Sequence, residues 1–418
     1  MAGKGTVAGQ VSVRMYNVGF GDAFLVTVER GGRTWRMLVD CGVHAHGQAR
    51  PLREVVQAIV ADLRAASAGG SAYLDVVVAT HHHADHIAGF ALDEWEQVEV
   101  GEVWVPFVED PDDPDASRLR RAHTLAAEGL EATLARFLAA AGDSPLLQAA
   151  HAFAVNSRGN ARATDRLLGR NGLGFAGKPT VRYLPHRSAA ENVVATTVPD
   201  TVVHVLGPSR DPKDLRRMDP PAASAWLQLS ADVLVPPEQR APLFGPAFAL
   251  GEEDVPEELR EVLPHLRLGD VGVEESLLAA SGLLENAVNN TSVFFVLDVA
   301  GTRLLFPGDA QQGAWDHVLG DPASRALVAD ARFYKIGHHG SHNATPRRFV
   351  EEVLQEGAEA MLPWGLVERW RETIPKAELL EALAARKHHV TRADSPVPVR
   401  GRVTVHDDLW SELRLRTG

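Results

Sequence analysis

The chain has 418 residues, of which 45% are apolar, and its 42 Lys and Arg against 55 Asp and Glu give a net charge of −13. This length allows a large core in one or two domains, but no stretch approaches the roughly 20 consecutive apolar residues of a membrane-spanning helix. The acidic balance opposes sequence-independent adhesion to nucleic acid, although bound cations can reverse the sign of the charge at a local site.

The N-terminal sequence and the cysteine content are typical of a cytoplasmic protein. The first residues lack the apolar core of a signal peptide. Cys41 is the only cysteine, which excludes a disulfide within the chain and is typical of a reducing environment. We therefore expect a cytoplasmic protein with no membrane association.

The first hundred residues predict strands around one helix. Strands are predicted at 11–18, 23–29, 34–39, 74–79 and 99–106. A Gly31-Gly32 pair between two of them indicates a hairpin turn. Apolar residues at helical spacing, with Pro51 in the first turn, predict a helix at 51–66.

Two blocks interrupt this pattern. In the block 109–177, composition and spacing predict helices at 119–141 and 146–155, and a Gly-, Arg- and Asn-rich stretch predicts a loop at 158–177. The block 209–285 contains many prolines and acidic residues and predicts irregular chain between short helices. We interpret both as largely helical insertions into a single domain that spans residues 1–418.

Strands resume between the two blocks, and strands and helices alternate in the final third. Strands are predicted at 180–184, 201–206, 292–299, 302–306, 331–336, 360–364, 401–406 and 412–416, and helices at 311–319, 345–355 and 376–386. This alternation predicts an α/β fold with layered architecture.

The most informative motif is the run His-His-His-Ala-Asp-His, which follows strand 74–79. Neutral imidazole and carboxylate are the ligand types that hold Zn²⁺ and related ions. Alternate side chains at a strand end point the same way, so His81 and His83 can share one metal. Asp85 and His86 fall where the chain turns into a helix and can reach a second metal.

A second group of the same residue types lies in the last third of the chain. Asp309 follows strand 302–306 through a Pro-Gly turn, and His338, His339 and His342 follow strand 331–336. Together the two groups supply enough ligands for two metal ions.

These motifs resemble the metallo-β-lactamase fold superfamily, whose His-x-His-x-Asp-His element matches residues 81–86. The closest resemblance is to the hydrolase domain of ComEC-type competence proteins and their soluble relatives. The segments that carry it are 17–23, 38–42, 81–86, 289–292, 305–309 and 335–341. They lie within 10–110 and 285–370, so the resemblance does not cover the two insertions.

The resemblance implies a four-layer αββα sandwich with a binuclear metal site between the sheets. It implies that His81 and His83 bind the first metal, that Asp85 and His86 bind the second, and that Asp309 bridges both. One of His338 and His339 would complete the second site, with His339 preferred. Asp85, Asp309, His338 and His339 are the implied catalytic residues. Asp22 and Asp40 would orient ligand imidazoles, as metal-bound histidines generally require.

One departure from the family pattern concerns the first metal. Many members supply a further histidine from a loop between the two clusters. The histidines of the intervening region, His123, His151, His186 and His204, have no flanking pattern that marks a ligand. The first site is therefore expected to be more open, or to be completed by water or another residue type.

We predict a metal-dependent hydrolase with two divalent ions, zinc or alternatively manganese. The first hypothesis is a phosphodiesterase or nuclease that uses a metal-bridging hydroxide. The alternatives are hydrolysis of a small ester, lactone or phosphorylcholine-type molecule, and a metal-binding effector module whose insertions bind a protein partner. A long basic channel would favour a polymeric substrate, and a closed apolar pocket would favour a small one.

Overall fold

A computed structural model gives the structure of most of the chain. The described residues are 9–44, 47–67, 69–141, 144, 147–148, 150–151, 160–218, 277, 280–281, 286–367 and 374–418. Most of the predicted insertion 209–285 and of the predicted helix 146–155 lies outside them. Within the described residues, no helix is both long and apolar enough to cross a membrane.

In the described part of the chain, fifteen strands form two sheets. They are β1 Gly9–Tyr16, β2 Ala23–Arg30, β3 Arg33–Cys41, β4 Ala72–Val78, β5 Val98–Pro106, β6 Thr180–Leu184, β7 Val193–Ala195, β8 Thr201–Gly207, β9 Phe294–Val299, β10 Thr302–Phe306, β11 Ala331–Lys335, β12 Glu359–Leu362, β13 His389–Arg392, β14 Val403–His406 and β15 Trp410–Thr417. The eight-stranded sheet has the order β14-β15-β1-β2-β3-β4-β5-β6, and the seven-stranded sheet has the order β13-β12-β11-β10-β9-β8-β7.

The described α-helices lie mainly outside the two sheets. They are α1 Leu52–Ala65, α2 Ala84–Ile87, α3 Pro114–Ala141, α4 Ala161–Leu167, α5 Pro212–Leu215, α6 Gln312–Gly320, α7 Pro322–Ala329 and α8 Ala377–Ala385. Short 3₁₀ turns occur at Ala88–Ala91, Asp93–Gln97, Phe107–Glu109, Ala189–Asn192 and Gly337–Gly340, and a π-helical turn at Phe349–Val353.

Side-chain alternation along the strands builds four layers. The inward residues of both sheets, such as Val13 of β1 and Leu297 of β9, form one buried cluster between the sheets. The outer face of the first sheet packs against α1, and the outer face of the second sheet packs against α6, α7 and α8. The α/β prediction is therefore confirmed, and the arrangement is that of the metallo-β-lactamase αββα sandwich.

One local prediction was wrong and another was correct only in part. The stretch 158–177 contains α4, which forms because Ala163 and Leu167 pack into the outer core of the first sheet and because buried Arg166 pairs with Asp93 and Glu96. These partners are distant in sequence, so composition alone predicted a loop. The helix predicted at 345–355 is present but shorter, over residues 347–353, and has π-helical hydrogen bonding at Phe349–Val353.

The carboxyl ends of parallel strands from both sheets meet at one edge of the sandwich. β3 runs parallel to β4, and β10, β11 and β12 are parallel to one another. A backbone hydrogen bond of 2.9 Å from Val293 N to Thr80 O joins the sheets there. The His-rich loops follow these strand ends.

Candidate metal centre

Four residues from both halves of the chain converge at this edge. Asp85, His86, Asp309 and His339 are all buried, and one potential ligand atom from each lies within 4.8 Å of the others. His86 Nε2 is 3.1 Å from Asp309 Oδ2, and His339 Nε2 is 3.3 Å from Asp85 Oδ2. The loop 81–86 and the strand ends that carry Asp309 and His339 therefore lie together, as predicted.

His81 and His83 form a pair beside this cluster. His81 Nε2 lies 3.0 Å from His83 Nδ1, and the His81 and His86 ring centroids are 4.0 Å apart. The other ring nitrogen of His81 lies 3.2 Å from Ser292 Oγ. One nitrogen of each ring in the pair is thus directed at the same point, as ligands of a shared ion would be.

Buried acceptors fix the orientation of two imidazoles in the cluster. Asp40 Oδ2 lies 2.8 Å from His86 Nδ1 and also accepts the Thr80 hydroxyl. The carbonyl oxygen of Pro363 lies 2.7 Å from His339 Nδ1. Since a carbonyl only accepts, His339 Nδ1 carries a proton and donates it to Pro363, while Nε2 faces Asp85 in the cluster.

Asp22 has a different partner from the one that the sequence suggested. Its Oδ2 is 3.6 Å from His86 Nδ1 but only 2.5 Å from the ammonium nitrogen of Lys335. The same ammonium lies 3.1 Å from Asp309 Oδ1. Lys335 is the functional residue that sequence reasoning missed, and a lysine inside an apolar strand was its only local signal.

The protonation states of His81, His83 and Asp85 suit metal binding. Burial lowers the pKa of His81 far below its usual value and that of His83 to about 3, so both stay neutral. Burial alone would raise the pKa of Asp85, but the hydrogen bond from His339 and the neighbouring imidazoles hold it well below its usual range. Burial alone would lower the pKa of His86, but Asp309, Asp22 and Asp40 raise it well above its usual value, so this imidazole has to release a proton when a cation binds. Neutral imidazoles and ionised carboxylates are the forms that bind a cation.

The buried charges of the site do not balance. Four carboxyl groups, those of Asp22, Asp40, Asp85 and Asp309, are at most 5% exposed, whereas the buried basic groups among them are the Lys335 ammonium and the His86 imidazole. Burying unpaired charge is costly. Asp85 Oδ1 and His83 Nε2 also lack hydrogen-bond partners within the described residues. The donor set and its excess negative charge therefore fit divalent cations.

The two candidate histidines of the second loop differ in position. His339 belongs to the four-residue cluster. His338 is less deeply buried, and its Nδ1 lies 2.8 Å from Ser341 Oγ and its Nε2 3.4 Å from Asn289 Nδ2. Its backbone N–H donates to Asp309 Oδ1 at 2.9 Å. Both residues have positive φ angles, 44° and 51°, so the tight turn separates their rings.

None of the intervening histidines joins the metal-type cluster found in the described part of the chain. The His123 ring is 5.7 Å from that of His82, a residue between the His81 and His83 pair. His186 lies 3.4 Å from Glu191 at the surface, and His204 lies within β8. His151 is exposed.

Two glycines permit the close packing of these loops. A side chain at Gly42 would place its Cβ 2.4 Å from the backbone of Ala84 and His86. Gly308 has a φ of +59°, and a Cβ there would lie 2.7 Å from that of Ser292. Both positions favour glycine because larger residues would push the ligand loops apart.

A cavity of about 460 Å³ lies next to the loop 81–86. Its walls come from the turn Phe107–Glu109, from α3 and α4, and from the segments 212–218 and 287–291. Apolar side chains form most of its surface. No long basic channel accompanies it in its described walls, which include two arginines and two acidic residues.

Comparison with known proteins agrees with this site. The family model of the metallo-beta-lactamase superfamily matches residues 16–138. The match contains β4 and the His-rich loop 81–86 but ends before Asp309. No curated protein matches the chain. The superfamily match and the buried His/Asp cluster together indicate a metal-dependent hydrolase.

Proposed function

We propose that this protein is a binuclear metal-dependent hydrolase that cleaves a small phosphodiester or ester. His81 and His83 would hold the first ion, and Asp85, His86 and His339 the second, with Asp309 between them. The observation that carries this proposal is the convergence of buried imidazoles and excess carboxylates from both halves of the chain.

Divalent cations bound in pairs act as Lewis acids and make a water nucleophile available at neutral pH. The chain's own residues prepare the site for them. Asp40 and the Pro363 carbonyl orient His86 and His339, and Lys335 holds one oxygen of Asp309. Burial lowers the pKa of His338 to about 4, so this residue is a neutral hydrogen-bonding group for the substrate at physiological pH.

The cavity bears on the choice of substrate. A mostly apolar cavity of about 460 Å³ beside the cluster suits a small molecule better than a nucleic-acid strand, and the net charge of −13 acts in the same direction. We keep phosphodiester cleavage as the leading reaction because of the ComEC-type resemblance. Zinc is the metal that we propose first, and the cytoplasm is the compartment that we propose. Ester or lactone cleavage is the second candidate, which the apolar cavity supports.

Metal analysis combined with hydrolysis assays tests this proposal. We expect about two transition-metal ions per chain, and fewer in His83→Ala and Asp309→Ala. Bis(p-nitrophenyl) phosphate, a lactone panel, and linear and circular DNA, each with Zn²⁺ or Mn²⁺, separate the reaction classes. A protein that retains no metal and hydrolyses none of these substrates would contradict the proposal, and efficient DNA cleavage would restore the nuclease hypothesis.

A further inference from the structure

The cavity beside the metal centre lies between the core and the first insertion. Helices α3 and α4 of that insertion contribute to its walls, together with the segment 212–218 of the second insertion and the segment 287–291, which leads into β9. At about 460 Å³, it falls within the roughly 300–1,000 Å³ typical of small-molecule sites. An insertion that does not contribute to the metal cluster thus forms a defined space next to it.

The described lining is mostly hydrocarbon. The apolar side chains in its walls are Val108, Leu119, Ala127, Leu215 and Val288. Val108, Ala127 and Val288 belong to the buried part of the molecule, so these walls are packed from behind. Apolar surface around a cavity favours an apolar occupant, because water there makes few hydrogen bonds.

Two residues that line the cavity are direct chain neighbours of residues in the candidate metal centre. His82, which lines the cavity, stands between His81 and His83 in the chain. Thr291 also lines it and directly precedes Ser292, whose Oγ is 3.2 Å from His81 Nδ1. A molecule in the cavity therefore lies against the loops that carry the first pair of imidazoles.

The charged groups around the cavity do not select a polyanion. Glu109 lies 3.1 Å from His82 Nδ1, and the Arg120 guanidinium donates to the carbonyl oxygens of Val108 and Asp110. The remaining described charges in the walls are those of Asp165 and Arg216, one of each sign. The lining thus offers apolar contact without a net positive field.

We propose that this cavity binds a hydrocarbon group of the substrate, an alkyl, acyl or aryl chain attached next to the bond that is cleaved at the metal centre. This inference rests on the proposed hydrolase function and specifies its substrate class. The first insertion is then the specificity element of the enzyme, and the substrate is an amphipathic small molecule with a polar scissile group and an apolar tail.

Varying the length of the substrate's hydrocarbon chain tests the proposal directly. The full-length zinc-loaded protein is assayed with p-nitrophenyl esters from acetate to octanoate, and with methyl and octyl p-nitrophenyl phosphate. Each buried methylene increases binding about fourfold at most, so kcat/KM should rise steeply with chain length in whichever of the two series is hydrolysed. The two series separate acyl from phosphodiester chemistry while both report on the cavity.

A matched pair of variants locates the effect. Thr124 is an exposed residue of α3 at the cavity, and Thr124→Trp should fill it and abolish the preference for long chains while leaving the shortest substrate unaffected. Leu125, the next residue, is 64% exposed and is not among the described lining residues. Leu125→Trp should therefore keep the wild-type chain-length profile.

A binding measurement separates this inference from the hydrolase proposal. The protein as purified is titrated with 1-octanol and with ethanol, followed by thermal shift. Stabilisation by 1-octanol alone, lost in Thr124→Trp, supports the cavity assignment even when no substrate is hydrolysed. Hydrolysis with no dependence on chain length, together with equal effects of the two alcohols, would overturn the assignment and leave the hydrolase proposal intact.

Discussion

At the scale of single residues, the two carboxylate oxygens of Asp309 have different hydrogen-bond partners. Oδ1 receives the Lys335 ammonium at 3.1 Å and the His338 backbone N–H at 2.9 Å. Oδ2 faces His86 Nε2 at 3.1 Å. One oxygen is therefore fixed by the protein, and the other is directed towards the cluster, so Lys335 is a positioning residue for the proposed bridging carboxylate.

Replacing Lys335 by methionine keeps most of the side-chain volume but removes the buried positive charge. Asp22 and Asp309 then lose their common ammonium, and removing one partner of a buried ion pair destabilises a protein by about 3–5 kcal/mol. We expect a loss of this size in urea unfolding with chelator present. Added zinc should recover part of it, because a cation replaces the missing positive charge.

The same change at Lys387 is the control, since that ammonium is 78% exposed and pairs with Glu356 at the surface. Lys387→Met should change the free energy of unfolding by at most about 1 kcal/mol. Equal destabilisation by the two variants would show that the Lys335 contacts contribute no more to the free energy of unfolding than a surface ion pair does.

Asp40 tests the orientation of His86. Asp40→Asn keeps the shape but weakens the acceptor of the Nδ1 proton, and loss of such a partner typically reduces metal affinity 10–100-fold. Competition with a chromophoric zinc chelator measures this loss. Asp75→Asn is the control, because Asp75 accepts only the Arg36 backbone N–H among the described hydrogen bonds. Wild-type affinity in Asp40→Asn would argue against a metal ligand at His86.

At the scale of elements, Asp113 joins the N-terminus of α3 to a distant part of the chain. Asp113 accepts hydrogen bonds from the Asp115 and Ala116 backbone N–H groups at the helix N-terminus. It also pairs with Arg187 at 2.9 Å and Arg210 at 2.7 Å. Asp113 thus connects the start of the insertion helix to the chain beyond β6.

Asp113→Ala should loosen α3 and cost about 1–3 kcal/mol, whereas Asp113→Asn keeps the cap and loses only the charge pairs. Burial would raise the pKa of Asp113, but Arg210 and the backbone amides lower it from 3.8 to about 2. Its stabilising effect is therefore fully present above pH 3.8 and disappears as the pH falls through about 2.

Hydrogen exchange of residues 114–125 and urea unfolding at pH 7 measure this effect. Faster exchange in Asp113→Ala than in Asp113→Asn is the expected order. Since α3 forms a wall of the cavity, Asp113→Ala should also reduce hydrolysis of long-chain substrates more than of short ones. Unchanged exchange in both variants would mean that other contacts fix the helix.

The sequence predicted most strands because their apolar alternation is local, and it identified the His-rich loops because they follow strand ends. It could not predict α4, whose Arg166 depends on Asp93 and Glu96, or the pairing of Lys335 with Asp22, which is remote in the chain. These interactions exist only once the sheets have paired. The ligand roles of the site residues remain predictions.

At the scale of the whole molecule, the candidate metal centre joins the two sheets. His81, His83, Asp85 and His86 follow β4 of the first sheet, whereas Asp309 and His339 follow β10 and β11 of the second. Bound cations would therefore link both halves of the chain. Any ion that binds only the folded state also stabilises it, by about 2.7 kcal/mol at a free concentration 100-fold above its Kd.

Zinc should therefore raise the melting temperature of the entire fold in one cooperative transition, and a chelator should reverse the rise. His83→Ala in the first half and Asp309→Asn in the second should each lose most of this gain, because each removes a donor from a different sheet. His389→Ala changes an exposed histidine of β13 and should keep the full gain. Differential scanning calorimetry with and without zinc makes the comparison, and a zinc effect that survives both site variants would place the ions elsewhere.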